Sequence, residues 1–359
     1  MKRRLSRSTS KRQPRRPIRG GDAAIAIKKR LFRRLRAMSD RNQIWPRLKQ
    51  EASKGSTEAM VMLGILYEWW KDYRRALRHY ERAAELGDTA AAWVLAHYYE
   101  SGRHVRASPS RALRWYCFAA ERGDVDAVSS AENLAKEHGL DLPPRRVTAW
   151  YRAAAKRGDR EALYWLAHRL DDGEGVRRDR RAAVSLWRRA AHLGDASSWY
   201  CLGLSYELGE GVRQSWPRAL ACYRAAARRG DDDASYEIAS HYRWEKKDSR
   251  RRVPWLRKAM DLGHNVARCE LGIHYIYGDG VRQDMALGAR LYRRSAEQGY
   301  GRAMYLLGLC YLEGDGIRRD RGSARRWFER AVVAAEKEED RETVRDARKV
   351  LAELARNTA

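Results

Sequence analysis

The stretch CELGIHYIYGDGVRQDMALGARLYRRSAEQGY, residues 269–300, contains the pattern that decides the fold. Its first part places apolar residues at helical intervals, and its middle has two glycines one residue apart. Its last part is a second helical pattern that ends at Gly299. This order predicts two antiparallel helices joined by a glycine turn. One such hairpin cannot bury its apolar face alone, so we expect further copies in the chain.

The pattern does recur, at steps of 33 to 36 residues. Each copy is expected to close its second helix with a glycine, because glycine enters the left-handed conformation at little cost. These glycines are Gly87, Gly123, Gly158, Gly194, Gly230, Gly263 and Gly299.

A second column lies fifteen residues before each of these glycines. Its members are Asp72, Ser108, Pro143, Asp179, Ser215, Asp248 and Asp284, and Asp320 continues it. Asp and Ser are N-cap residues, so the column predicts where each second helix begins.

A third column contains one small residue in each first helix, which we attribute to close approach of the partner helix. Its members are Gly64, Ala96, Ala167, Gly203, Ala239, Gly272 and Gly308. We also expect the tryptophans of the second helices in the core: Trp115, Trp150, Trp187, Trp255 and Trp327.

Taken together, these columns resemble the Sel-1-like repeat (SLR), a relative of the tetratricopeptide repeat. The resemblance covers roughly residues 58–335 and implies an all-α fold. The expected architecture is an α-solenoid, a right-handed superhelix of antiparallel helix pairs with about eight SLR repeats. Around this array we expect a partial repeat at 39–57 and a C-terminal capping helix within 336–359.

The charge of the chain is unevenly distributed. The formal net charge is +27, and residues 1–38 contribute +14 of it, with Asp22 as their one acid. We expect a largely disordered basic arm with an amphipathic helical segment, in which Ile27, Leu31, Leu35 and Met38 share one face. The arm residues proposed to contact polyanions are Arg3, Arg4, Arg15, Arg16, Lys28, Lys29, Arg30, Arg33 and Arg34.

Several chemistries are not supported by the sequence. The five cysteines form no CxxC pair, which disfavours a zinc ribbon or a disulfide framework. His241, His274 and Cys310 share a column, but stacked repeats separate equivalent positions by ~8–10 Å, too far for one metal ion. GEGVRR at 173–178 lacks the third glycine of a dinucleotide fingerprint. We therefore expect no catalytic set, no resident metal, no cofactor and no small-molecule substrate.

The resemblance implies a concave groove lined by the column three residues before the small residue. We expect partner contacts there from Trp93, Tyr164, Tyr200, Tyr236 and Tyr305. Neighbouring columns add His97, His168, Glu68, Glu100, Asp171 and Glu207, whose acids suit a basic peptide. The alternative is that the tyrosines only stabilise the stacking of repeats.

The function that follows is a non-catalytic scaffold or adaptor that binds a partner polypeptide in this groove. The alternative is a protein that associates with nucleic acid or an anionic membrane through its basic arm. No segment approaches the ~18 apolar residues of a membrane span, and we expect a cytoplasmic protein. If residues 1–38 are instead a transit peptide, the location is mitochondrial.

Overall fold

A computed structural model describes residues 41–244 and 248–356 of the chain. The described residues are 77% helical and form 18 helices and no strand. They divide into two compact units, with the boundary after Leu186. In each unit consecutive helices pack as adjacent pairs, as the α-solenoid prediction requires.

The first unit contains eight complete helices. They are α1 (Arg41–Ser53), α2 (Thr57–Trp69), α3 (Tyr73–Glu85), α4 (Thr89–Ser101), α5 (Pro109–Glu121), α6 (Val125–His138), α7 (Pro144–Lys156) and α8 (Arg160–Asp172). The next helix, α9 (Arg180–His192), contains the boundary between the units.

The second unit continues with nine helices. They are α10 (Ala196–Leu208), α11 (Trp216–Arg228), α12 (Asp232–Trp244), α13 (Ser249–Asp261), α14 (Asn265–Tyr277), α15 (Met285–Glu297), α16 (Gly301–Glu313), α17 (Arg321–Lys337) and α18 (Arg341–Arg356). Within the first unit, α2 to α7 form three consecutive pairs, with α1 before them and α8 after them. Within the second unit, α10 to α17 form four consecutive pairs, with α18 after them.

The predicted caps stand where the second helices begin. The carboxylates of Asp72, Asp179, Asp248, Asp284 and Asp320 accept hydrogen bonds from backbone N–H groups of the first turn. Ser108 and Ser215 stand at the N-cap as predicted, but the expected capping bond from the backbone to their hydroxyls is absent. Both are followed by a proline in the first turn, which already removes one of the unpaired N–H groups.

The small residues of the first helices do allow a close approach, and the approaching group is an aromatic ring. A Cβ atom at Gly203 would lie 2.5 Å from the Tyr223 ring, and one at Gly308 would lie 2.7 Å from Phe328. Gly64 and Gly272 face Tyr80 and Tyr292 in the same way.

The tryptophan prediction holds for one residue of five. Trp187 is buried and shares a column with Tyr151 and Tyr223. The other four precede that column by one residue and are only half-buried: Trp115, Trp150, Trp255 and Trp327. Neighbouring residues on a helix point about 100° apart, so a side chain one position before the buried column lies at the edge of the helix contact.

Candidate functional site

Three of the predicted groove acids accept hydrogen bonds from buried tyrosines of their own helix pair. Glu68 accepts from Tyr80 at 2.9 Å and also from Tyr98. The same contact recurs at 2.6 Å from Tyr116 to Glu100 and from Tyr223 to Glu207. The Tyr80, Tyr116 and Tyr223 hydroxyls have raised pKa values, mainly because burial disfavours the phenolate and also because a carboxylate lies beside them. These carboxylates therefore connect the two helices of a pair.

Trp93 is a core residue in the first unit, only 2% exposed. Its indole N–H donates to Asp124 Oδ2 at 2.8 Å, and Asp124 also caps α6 through Ala127 N. Tyr164 is buried as well and packs edge-on against His168, with ring centroids 4.5 Å apart. Neither aromatic ring offers a face to a partner.

The remaining predicted residues of the first unit are closer to solvent. His97, His168 and Asp171 are half-buried. Asp171 lies 3.5 Å from the Arg180 guanidinium, so this acid pairs with a base of its own chain.

The three predicted groove tyrosines of the second unit, Tyr200, Tyr236 and Tyr305, differ from Tyr164 because each is only half-buried. Tyr200 contacts the Tyr223 ring, and Tyr305 contacts the Phe328 ring, both at 5.7–5.8 Å between centroids. Tyr236 stacks on His264 at 4.4 Å, and its hydroxyl donates to Glu270. In each case one side of the ring packs while part of the residue stays accessible.

The cysteines and histidines are occupied in ways that suit packing. All five cysteines are buried free thiols, and burial raises the pKa of Cys222 to about 11. His274 hydrogen-bonds to the Arg252 guanidinium and to the Asp279 backbone carbonyl, both at 2.7 Å. His241 stacks on Trp216 at 4.0 Å. His241 and His274, the two histidines of the column described above, are therefore held by neighbours in their own chain.

One acidic group in the described part of the chain has the spacing of a metal site: Asp231, Asp232 and Asp233, within 4.8 Å of one another. Asp231 already caps α12 by accepting from Ala234 N at 2.8 Å.

Sequence reasoning missed two features. The first is the residue after each closing glycine, which caps the next helix: Asp88, Asp124, Asp159, Asp195 and Asp231 do so, and His264 does so through Nδ1. The second is an aromatic cluster at the end of α2. Trp69 and Trp70 are each 57% exposed, and Trp45 packs on Trp70 at 4.9 Å. The adjacent pair of tryptophans, where other repeats have glycines, was the signal.

The arm residues, Arg3 to Arg34, lie outside the described residues. Among the helices that are described, none combines the length and the apolar content needed to cross a lipid bilayer.

Comparison with known proteins identifies the repeat. A family model described as Sel1 repeat matches seven stretches: 57–88, 89–124, 129–159, 160–195, 200–231, 265–300 and 301–332. The pair α12–α13 lies between two of these stretches and is not matched, although it folds as a helix pair. No curated protein matches the chain.

Solved structures share the architecture. A Sel1 repeat protein from Oxalobacter formigenes is 27% identical, with a TM-score of 0.71, over 86% of this chain and 93% of that one. The protective antigen c5321 of uropathogenic Escherichia coli, which has an SLR fold, is 22% identical over 93% of this chain and 91% of that one, with a TM-score of 0.43. Sel1 repeats generally mediate protein–protein interactions. With seven matched repeats over more than half of its length, the chain belongs to the Sel1 repeat family.

Proposed function

We propose that this protein is a non-catalytic scaffold that binds a partner polypeptide along the half-buried tyrosines of the second unit. The observation that carries the proposal is the partial burial of Tyr200, Tyr236 and Tyr305. The rings of Tyr200 and Tyr305 each pack on one side against their own helix pair, and the Tyr236 ring packs against His264 at the start of the next pair. All three residues keep part of their surface accessible. Such amphipathic, preorganised aromatic residues are typical of binding hot spots.

The contacts of the other predicted residues narrow the proposed surface. Trp93 and Tyr164 are core residues, and we assign them to stabilising the first unit. Glu207 accepts a hydrogen bond from the Tyr223 hydroxyl. We therefore propose that Glu207 holds α10 against α11 beside Tyr200 and contributes little to pairing with a basic partner.

The test begins with a binding peptide selected on the full-length chain from a random display library. We expect Tyr200→Ala to weaken binding of that peptide by ~1–3 kcal/mol while the melting temperature changes little. Tyr277→Ala is the matched control, because Tyr277 is 74% exposed and stands outside the column. A loss of stability with unchanged affinity per folded molecule would mean that Tyr200 only supports stacking.

The alternative function rests on the +14 charge of residues 1–38. An arm of this kind binds phosphates through counterion release, so affinity for DNA or anionic vesicles should fall steeply with salt. Deleting residues 1–38 should remove most of that affinity and its salt dependence. Unchanged binding after the deletion would assign polyanion contact to the repeats.

A further inference from the structure

Three loops of the second unit have the same construction. They join the first and second helices of their pairs at residues 209–215, 278–284 and 314–320. In each loop one side chain donates to a backbone carbonyl near the end of the preceding helix. These bonds are Gln214 to Glu207 O at 2.7 Å, Gln283 to Ile276 O at 2.8 Å and Arg319 to Glu313 O at 2.6 Å. The loops are thereby fixed against the helices.

The residue before each of these side chains is an exposed arginine: Arg213, Arg282 or Arg318. Within residues 41–244 and 248–356, none of the three guanidinium groups makes an ion pair or a hydrogen bond. Many other arginines of the protein pair with carboxylates of their own chain. Each of these loops thus presents an arginine that makes no ion pair or hydrogen bond in the described chain, with an acidic residue three positions before it: Glu210, Asp279 or Asp315.

A second arginine stands in the same register on the preceding second helix. Its guanidinium donates to a tyrosine hydroxyl of the following first helix, from Arg188 to Tyr206, Arg257 to Tyr275 and Arg293 to Tyr311, at 2.9–3.3 Å. A guanidinium carries five N–H donors, so one such bond orients it and leaves donors for a ligand.

The loop at 314–320 shows how the two arginines come together. They line an open cleft of about 580 Å³ with Tyr311, Ile317, Arg319 and Asp320. The Asp320 carboxylate is already engaged, because it accepts from Gly322 N and Ser323 N at the start of α17. The cleft is therefore cationic and suits a carboxylate or phosphate group.

We propose that this loop edge of the second unit binds an acidic segment of a partner polypeptide, with one carboxylate or more at each loop. Carboxylates match the guanidinium fork in two-bond geometry. Tyr206, Tyr275 and Tyr311 are half-buried, their hydroxyls accept from arginine, and Arg218 lies over the Tyr206 ring. These three rings offer no open face on which a base of single-stranded nucleic acid could stack, which favours a polypeptide at their positions. Tyr277, directly before the second loop, is 74% exposed, and the DNA probe below tests whether it stacks on a base.

The edge is separate from the tyrosine column of the proposed function, and neither surface requires the other. The test uses the full-length chain and a fluorescein-labelled oligoglutamate peptide. The variant Arg213→Gln/Arg282→Gln/Arg318→Gln should bind the peptide about tenfold more weakly, since three exposed ion pairs are lost. Their side chains are exposed and make no hydrogen bond or ion pair in the described chain, so folding should be retained.

The matched control is Arg228→Gln/Arg250→Gln/Arg294→Gln, which removes the same charge from exposed positions of the second unit outside the loops. We expect it to bind nearly as the wild type does. Equal weakening by both variants would overturn the proposal, because net charge alone would then explain binding.

A photo-cross-linking oligoglutamate peptide separates the loops from the basic arm. Cross-links at residues 209–215, 278–284 or 314–320 support the proposal, and cross-links confined to residues 1–38 overturn it. A single-stranded DNA oligonucleotide of equal charge is the second probe. If it binds more tightly than oligoglutamate and the loop variant abolishes that preference, the edge is a nucleic-acid site and the polypeptide assignment is wrong.

Discussion

Two neighbouring helix interfaces of the second unit have side chains at equivalent positions of the repeat, but one interface is ionic and the other is apolar. Arg252 of α13 meets Glu270 and His274 of α14 at the first interface. The positions 36 residues later are Gly288 on α15 and Leu306 and Cys310 on α16. The first interface is a buried ionic network in which Arg252 bonds to both Glu270 and His274. In the second, Cys310 belongs to an apolar core, with Leu306 packed against it.

The difference teaches what the fold requires of a repeat. Both interfaces hold helices of 13 residues in the same order, so the backbone arrangement does not depend on the type of side chain at these three positions. The chemistry does decide how stability responds to charge and pH. Arg252 is 8% exposed, and burial lowers its pKa, so the ionic interface depends on each partner being present.

The largest effect should come from breaking the ionic interface on one side. Glu270→Ala leaves the Arg252 guanidinium buried without its carboxylate, and we expect the free energy of unfolding to fall by ~3 kcal/mol. Arg252→Met combined with Glu270→Leu should recover most of that loss, because the pair becomes apolar as in the neighbouring interface. Urea titrations of the wild type and the two variants measure both values, and a double variant as unstable as Glu270→Ala would contradict the comparison.

The contact of Gly288 with α14, within the pair α14–α15, should be sensitive to volume. A Cβ at Gly288 would lie 2.7 Å from Ile276 Cγ1 and 3.0 Å from the Gly272 carbonyl oxygen. Gly288→Ala should therefore cost ~2 kcal/mol by overpacking. Gly322→Ala is the control, because a Cβ there meets only Asp320 Oδ1, at 3.3 Å. Equal melting temperatures for the two variants would show that the interface relaxes.

Caps should act alike on both sides of the comparison. Asp248 caps α13 and Asp284 caps α15, through bonds of 3.0 and 2.8 Å to the first turn. Each Asp→Ala change should lower the free energy of unfolding by ~1 kcal/mol. Ser215→Ala should change it by only a few tenths, since the Ser215 hydroxyl makes no capping bond. A full ~1 kcal/mol loss at Ser215 would point to a capping bond in solution.

The smallest effect should be a pH dependence of the ionic interface. Burial, and then the charge of Arg252, lowers the pKa of His274 below its usual value. The unfolded chain therefore binds a proton near pH 6.5 that the folded chain does not, and stability falls as pH decreases below ~6.5. His274→Cys introduces the residue of the neighbouring interface and should remove up to ~1 kcal/mol of this loss between pH 7 and 5. Parallel pH profiles for the two proteins would contradict the assignment.

Much of the fold could be predicted from the sequence because single residue types mark where helices begin, end and pack closely. The closing glycines, the aspartate caps and the small residues of the first helices each state a local backbone requirement, and a single sequence can reveal such requirements. The partners of Glu68, Glu100 and Glu207 could not be found in this way. Each accepts from a tyrosine 12 to 16 residues away on the facing helix, so the contact depends on how the two helices cross.

The exposure of the predicted groove residues could not be read from the sequence either, because it also depends on how the helices pack. A column places residues in equivalent positions, but burial varies with what the next repeat brings against them. Trp93 meets Asp124 of the following pair and is fully covered, whereas Tyr200 in the same column is half-exposed. The ionic network around Arg252 was missed because its members belong to three helices and carry no motif.

The junctions of the array have unequal freedom to change length. From one second helix to the next first helix, up to α16, the connection is three residues with a glycine in the middle, from Leu86–Gly87–Asp88 to Gln298–Gly299–Tyr300. In six of these seven connections the side chain of the last residue caps the next helix. At the opposite end of each pair the connection ranges from three residues, 70–72, to seven, 314–320. Length variation is thus confined to the loops between the first and second helix of a pair. Peptide tags, reporter domains or new recognition loops can be inserted there without changing the spacing between one pair and the next.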